Sequence, residues 1–188
     1  DREIAFSVAN SESRADPLQQ VADLQNAILM QEQRDSLQKS LKIIDLKGRG
    51  KPSAWSIAEL TEQQDRVLQS LNIRSVVGTD SVGELDRVLQ GAMANAGFAH
   101  SGAGDGYTLS ASVETQDAMQ KEGWYWLRGT LNINLAGPDG TVLGNKSWPV
   151  KVSALQQNQL NARMLAEIDN RLKTELRSTV LGFAAGGQ

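Results

Sequence analysis

Apolar and polar positions alternate with two different periods along this chain, and the change of period divides it. From Tyr107 to Val113, residues Tyr107, Leu109, Ala111 and Val113 interleave with Thr108, Ser110 and Ser112. The same period of two runs through Tyr125, Leu127, Leu131, Ile133 and Leu135, set against Trp126, Arg128, Thr130, Asn132 and Asn134. Such alternation predicts half-buried β-strands. Gly137-Pro-Asp-Gly140 reads as a turn and leads into Val142–Val152, so a hairpin is expected there. Helical periodicity appears in Val82, Leu85, Val88, Leu89, Ala92, Met93 and Ala96, closed by Gly97. It appears again in Leu160, Met164, Ile168, Leu172 and Leu176, whose opposite side carries Glu167/Arg171 and Asp169/Lys173 at i, i+4. Ile57, Leu60, Val67, Leu68 and Leu71 follow the helical pattern with one gap.

Start signals precede four of these runs. Asp16-Pro17 with Gln19 is an N-cap followed by proline at the first helical position. Ser56–Glu59, Ser81–Glu84 and Ser153–Gln156 each have the capping-box spacing. The first of the four helices is expected from Pro17 to about Lys39. Shorter strands are expected at Ile4–Val8, Leu41–Leu46 and Ile73–Val77, and loops at Lys47–Ser53 and Ser101–Gly106. The order predicts an α+β fold, a mostly antiparallel sheet with helices packed on one face. A soft boundary falls near residue 71, giving a strand/helix module over 1–70 and a strand-helix-strand-strand-strand-helix unit over 71–188. No flexible linker marks it, so one sheet shared by both halves is left open.

If Gly137–Gly140 is the whole hairpin loop, the register follows. Leu135 faces Val142, Ile133 faces Gly144, Leu131 faces Lys146, Gly129 faces Trp148 and Leu127 faces Val150. On the other side Asn132 meets Asn145, Thr130 meets Ser147 and Trp126 meets Lys151. The Leu131–Lys146 pair fits badly, which points to a bulge or slip nearby. Trp148 falls on the apolar side. Trp124 and Trp126 fall on the otherwise polar side with Arg128, an apolar patch that needs a reason. Trp124, Trp126, Arg128 and Lys151 are therefore the candidate binding residues, either as a partner platform or as a surface covered by the N-terminal half.

Composition narrows the chemistry. The 188 residues carry 19 Lys plus Arg and 22 Asp plus Glu, a net charge of −3, without the basic excess of a nucleic-acid platform. Cysteine is absent, which removes disulfides, thiolate nucleophiles and cysteine-bound zinc. The single histidine, His100, has no recognisable serine and aspartate partners and is read as a loop residue. No metal-ligand spacing and no carboxylate dyad stand out, and Ser101–Gly106 lacks the Lys-Ser/Thr ending of a phosphate loop. Lys47-Gly-Arg-Gly-Lys51 is a short basic cluster, read first as a solvated turn and second as a contact for an anionic lipid head group or glycan. No catalytic residue, metal or cofactor is expected. No apolar run is long enough to span a bilayer. The start at Asp1, without Met or a signal segment, fits a processed or trimmed product.

The stretch Leu71–Ala184 resembles the TolB N-terminal domain. That fold is shared by lipoprotein activators of penicillin-binding proteins and by the flagellar assembly protein T group. The resemblance is carried by Ile73–Val77, the helix ending Asn95-Ala-Gly-Phe98, and Tyr107-Thr-Leu-Ser-Ala-Ser-Val113. It continues through Arg128-Gly-Thr-Leu-Asn-Ile-Asn-Leu135, the Gly137–Gly140 turn, Val142-Leu143 and the closing helix. Trp124-Tyr-Trp126 and Lys146-Ser-Trp-Pro149 depart from it. The resemblance implies a bacterial protein exported to the periplasm and tethered to the outer membrane by an upstream lipid anchor. It also implies a non-enzymatic role as a protein-interaction module in an envelope assembly, with homo-oligomerisation open. The alternative is a glycan- or peptidoglycan-binding module that stacks sugars on Trp124 and Trp126.

Overall fold

The computed structural model describes residues 1–45, 52–100 and 106–184, except for the side chains of Ala99 and His100. The Lys47–Lys51 cluster, the Ser101–Asp105 stretch and the His100 side chain lie outside the described residues. The chain divides into two compact units, Asp1–Ser70 and Leu71–Gln188.

The first unit is built from helices: α1 (Arg2–Ser13), α2 (Pro17–Ile44) and α3 (Ile57–Ser70). The strands expected at Ile4–Val8 and Leu41–Leu46 do not form. Ile4–Val8 lies inside α1, and Leu41–Ile44 is the last turn of α2, which outruns its expected end at Lys39. Short apolar runs are ambiguous between helix and strand by period alone. In α1 the ambiguity is resolved by packing, since Ile4 and Val8, four residues apart, enter one cluster with Leu24, Ala27, Ile28 and Leu60. The end of α2 is helical for another reason. Ile43 and Ile44 are 82 % and 85 % exposed, so they belong to no core that an alternating pattern would report. No strand occurs among the described residues of this unit, so the sheet is not shared between halves.

Two of the expected caps form as written. Asp16 accepts a hydrogen bond from the Leu18 amide at 2.9 Å. Ser56 and Glu59 close a reciprocal box: the Ser56 amide donates to Glu59 at 2.8 Å, and the Glu59 amide donates to the Ser56 hydroxyl at 3.2 Å. The backbone amide and then the hydroxyl of Ser56 hold the Glu59 carboxyl below the usual carboxylate range. The gap in the α3 stripe is Gln64, which is buried and donates to the side-chain oxygen of Gln25 at 3.0 Å.

The second unit holds β1 (Asn72–Asp80), α4 (Leu85–Asn95), β2 (Ala99–His100), β3 (Tyr107–Thr115), β4 (Met119–Lys121), β5 (Trp124–Ala136), β6 (Val142–Ala154) and α5 (Leu160–Ala184). β5 is the spine. β3 and then β4 pair with one of its edges, and β6 runs along the other. β1 lies beside β3 in parallel, with the two-residue β2 outside it. His100 is thus a strand residue opposite Ile73, not a loop residue. The unit is α+β with a mostly antiparallel sheet.

One face of the sheet meets α4 and α5. Leu109, Leu131, Ile133 and Leu135 are fully buried, as is the α5 stripe Met164, Ile168, Leu172, Leu176 and Val180. Trp148 is 4 % exposed and donates its indole N–H to Glu175 at 2.8 Å. At Gly144 a Cβ would overlap the ring of Phe183, so α5 lies directly on the β6 backbone there.

The other two capping boxes fail. α4 starts at Leu85 rather than after Ser81, and Asp80 holds its entry by accepting from the amides of Val82, Gly83 and Leu85. β6 runs through Ser153 to Ala154, and Ser153 offers its carbonyl to Arg163 at 2.8 Å. The helix end at Gly97 is as expected: its φ is +83°, and the Phe98 amide reaches back to Met93 at 3.1 Å.

Candidate functional site

The hairpin fixes what meets on the sheet, and its register differs from the simplest one. The Gly137 amide donates to the Thr141 carbonyl at 2.8 Å, so these two residues face each other and only Pro138–Gly140 lie between them. Asp139 takes the Thr141 amide and hydroxyl at 3.0 and 2.8 Å, and these bonds hold its carboxyl below the usual range. Ala136 then pairs with Val142 but Leu135 with Gly144, so a bulge adds one more residue. Together the two shift the expected pairing by two positions. Trp148 lies opposite Leu131, not Gly129, and Lys151 lies opposite Arg128, not Trp126. Lys146 lies opposite Ile133 instead of Leu131, so its cross-strand partner is still a buried aliphatic residue. Because side chains alternate with period two, a shift of two leaves every residue on its expected face. Gly129 needs to be glycine for a different reason: a Cβ there would stand 2.7 Å from the Glu114 carbonyl.

The four candidate residues do come together, on the face of the sheet that neither α4 nor α5 covers. Arg128 and Lys151 are directly opposite, an unfavourable pair of like charges. Lys151 leans along the diagonal instead. Its amine sits 4.4 Å from the centre of the Trp126 ring, a cation–π contact. Trp124 remains 40 % exposed beside it. β4 brings in two residues the sequence reading missed. Met119 pairs with Trp126 and Lys121 with Trp124, and Met119 is 51 % exposed. The sequence signal for β4 was Gly123 alone, and in the structure Glu122 and Gly123 both have positive φ, as a two-residue hairpin turn requires.

Farther along the same face the surface is neutral. Val76, Ser110, Asn134 and Asn145 form one row across β1, β3, β5 and β6, and Ser112, Asn132 and Ser147 lie in the next row beside Gly78. These residues line a groove of about 430 Å³. Ser147 donates to Asn132 at 2.6 Å. A larger groove, about 780 Å³, lies between α4 and the start of α5. Its charges are satisfied internally, with Lys173 on Asp169 at 2.7 Å and Arg87 on Glu84 at 2.5 Å.

Among the described residues no three histidine, cysteine or carboxylate side chains gather as a metal site. Among them, no helix is long and apolar enough to cross a membrane. No family model matches the chain, and no curated protein matches it.

Solved structures similar to this chain include a minor lipoprotein from Acinetobacter baumannii, at TM-score 0.44 and 13 % identity, covering 63 % of this chain and 94 % of that one. A lipoprotein from Caulobacter crescentus CB15 is similar at TM-score 0.42 and 19 % identity, over 64 % of this chain and 92 % of its own. The rare lipoprotein B from Shewanella oneidensis is similar at TM-score 0.29 and 13 % identity, over 58 % and 89 %. These three structures are of bacterial lipoproteins.

Proposed function

We propose that this chain is a non-enzymatic bacterial envelope lipoprotein whose second unit is a TolB-N-terminal-like domain that docks a protein partner. The finer parts of that reading rest on the motifs between Ile73 and the closing helix. They are the periplasmic location, the outer-membrane tether upstream of Asp1, and a role in an envelope assembly.

The observation that carries the docking role is the cluster of Trp124, Trp126, Arg128 and Lys151 on the face opposite α4 and α5. Tryptophan and arginine are enriched among the residues that dominate protein interfaces, because a large ring buries much area at low entropic cost. Lys151 laid on Trp126 holds one indole in place before any partner arrives, which lowers the cost of binding. Removing both indoles should abolish partner capture.

The test places a photo-crosslinking residue at Met119, in this cluster, and in a second protein at Lys173, on α5. The reading requires an envelope-protein adduct from position 119 that disappears with Trp124→Ser plus Trp126→Ser and is missing from position 173. Equal adducts from both positions, or an adduct that survives the double substitution, refute it. Incorporation of radiolabelled palmitate into the full-length precursor tests the lipid anchor separately.

A further inference from the structure

The neutral half of the sheet face opposite α4 and α5 contains an unsatisfied group. Asn134 Oδ1 is shielded from solvent, and no donor reaches it among the described residues. Leaving such an acceptor unpaired costs about 1–3 kcal/mol, so natural sheets seldom keep one. Its own row offers two donors: the Ser110 hydroxyl, which bonds the Asn134 backbone carbonyl at 3.4 Å instead, and the Asn145 carboxamide opposite, which leaves the Asn134 oxygen unbonded. Rotation about the broad χ2 torsion of asparagine turns the amide toward the groove, where a donor that enters from outside meets it.

The groove's lining selects the donor's chemistry. Three carboxamides (Asn132, Asn134, Asn145) and three hydroxyls (Ser110, Ser112, Ser147) each donate and accept. They match a ligand that also does both at several points. Lys146 is the only charged residue in the lining, and alternation puts its side chain with Trp148 on the α5 face, so a phosphate or carboxylate finds no cation on this side of the sheet. The floor is apolar at one place. Val76 is 40 % exposed beside Gly78, which leaves room for a methyl or a ring face. The volume falls within the range of small-ligand pockets, about 300–1,000 Å³. Asn132 is six residues along β5 from Trp126, about 20 Å, so the groove is separate from the tryptophan cluster.

We infer that this groove binds an N-acetylated, uncharged sugar unit. The acetamido N–H supplies the donor that Asn134 lacks, its methyl group rests on Val76, and the ring hydroxyls take the remaining amides and serines. This goes beyond the protein-docking reading and does not depend on it.

The probe is tri-N-acetylchitotriose, with cellotriose, which has no acetamido group, as control. Side-chain amide resonances of Asn132, Asn134 and Asn145 are followed by NMR, and Trp126 reports the other end of the face. The acetylated probe should shift the asparagine amides, and cellotriose should bind at least tenfold more weakly. Asn134→Leu should weaken binding at least tenfold while Tm stays level or rises, since it removes an unpaired acceptor. Gly78→Val should block the groove without misfolding, because its Cβ meets only ordinary contact, 3.6 Å from the Ser112 Cβ. Three results each overturn the inference: no asparagine shift at millimolar probe, unchanged binding by both variants, or an equal response to cellotriose. A shift confined to Trp126 overturns it too, and places the sugar where the protein partner is proposed. A failed crosslink at Met119 alone leaves the groove result standing.

Discussion

The two units are built from equal chemistry but different cores. Every buried polar residue among the described ones (Ser7, Ser11, Gln31 and Gln64) lies in the helical unit, while the buried set of the sheet unit is apolar throughout. In the helical unit Gln64 bridges to Gln25 and Gln31 to Asp35 and Ser53. A polar core specifies which helix faces meet; an apolar core supplies more stability per residue.

The strongest test of that contrast is Ile133→Ala. It leaves a cavity against α5 in a core with no polar group to recruit water, and should cost about 2–5 kcal/mol in urea unfolding. Melting with the parent would mean that the strand does not pack as described. Gln64→Ala in the helical unit should cost less, about 1–3 kcal/mol, mainly from partners left unpaired. Gln64→Leu should recover at least half of that loss. If leucine is worse than alanine, the glutamine's shape rather than its hydrogen bonding is what the site requires. Trp148→Phe puts a smaller ring in a buried place and deletes the N–H bond to Glu175, at about 1–3 kcal/mol.

The smallest expected effect is a pH dependence. Glu59 has a folded pKa lowered from 4.5, so its stabilising contribution is present above that value and is lost as pH falls through the lowered one. Glu59→Gln should therefore lower Tm at neutral pH and differ less from the parent as the pH drops below 4. Asp139, lowered from 3.8, should behave alike in the hairpin of the other unit. Thermal melts of Glu59→Gln and Asp139→Asn between pH 3 and 7 check both.

This contrast also explains what was legible in the sequence. Leu131, Ile133, Leu135 and the α5 stripe announce themselves because each lies on one face with one period. In the helical unit Gln64 interrupts the period, and exposed Ile43 and Ile44 imitate a strand. Ser81 and Ser153 have the capping spacing, but Asp80 and the continuing β6 ladder win those positions. At the site, Trp124, Trp126, Arg128 and Lys151 were findable because alternation fixes faces even when the register is misjudged. The asparagine groove was not, because Asn132, Asn134 and Asn145 read one strand at a time are simply the wet side. Only the pairing of four strands shows that they converge.

The bulge beside Ala136 gives the hairpin a tolerance to changes in chain length. Losing one residue from the Gly137–Thr141 connection has an inexpensive outcome: the bulge straightens, Leu135 and everything before it keep their partners, and both faces survive. Without that spare residue, the same deletion would turn Trp148 outward and Lys151 inward. Homologous hairpins one residue shorter are thus accessible by a single genetic step, with the groove and the tryptophan cluster carried through intact.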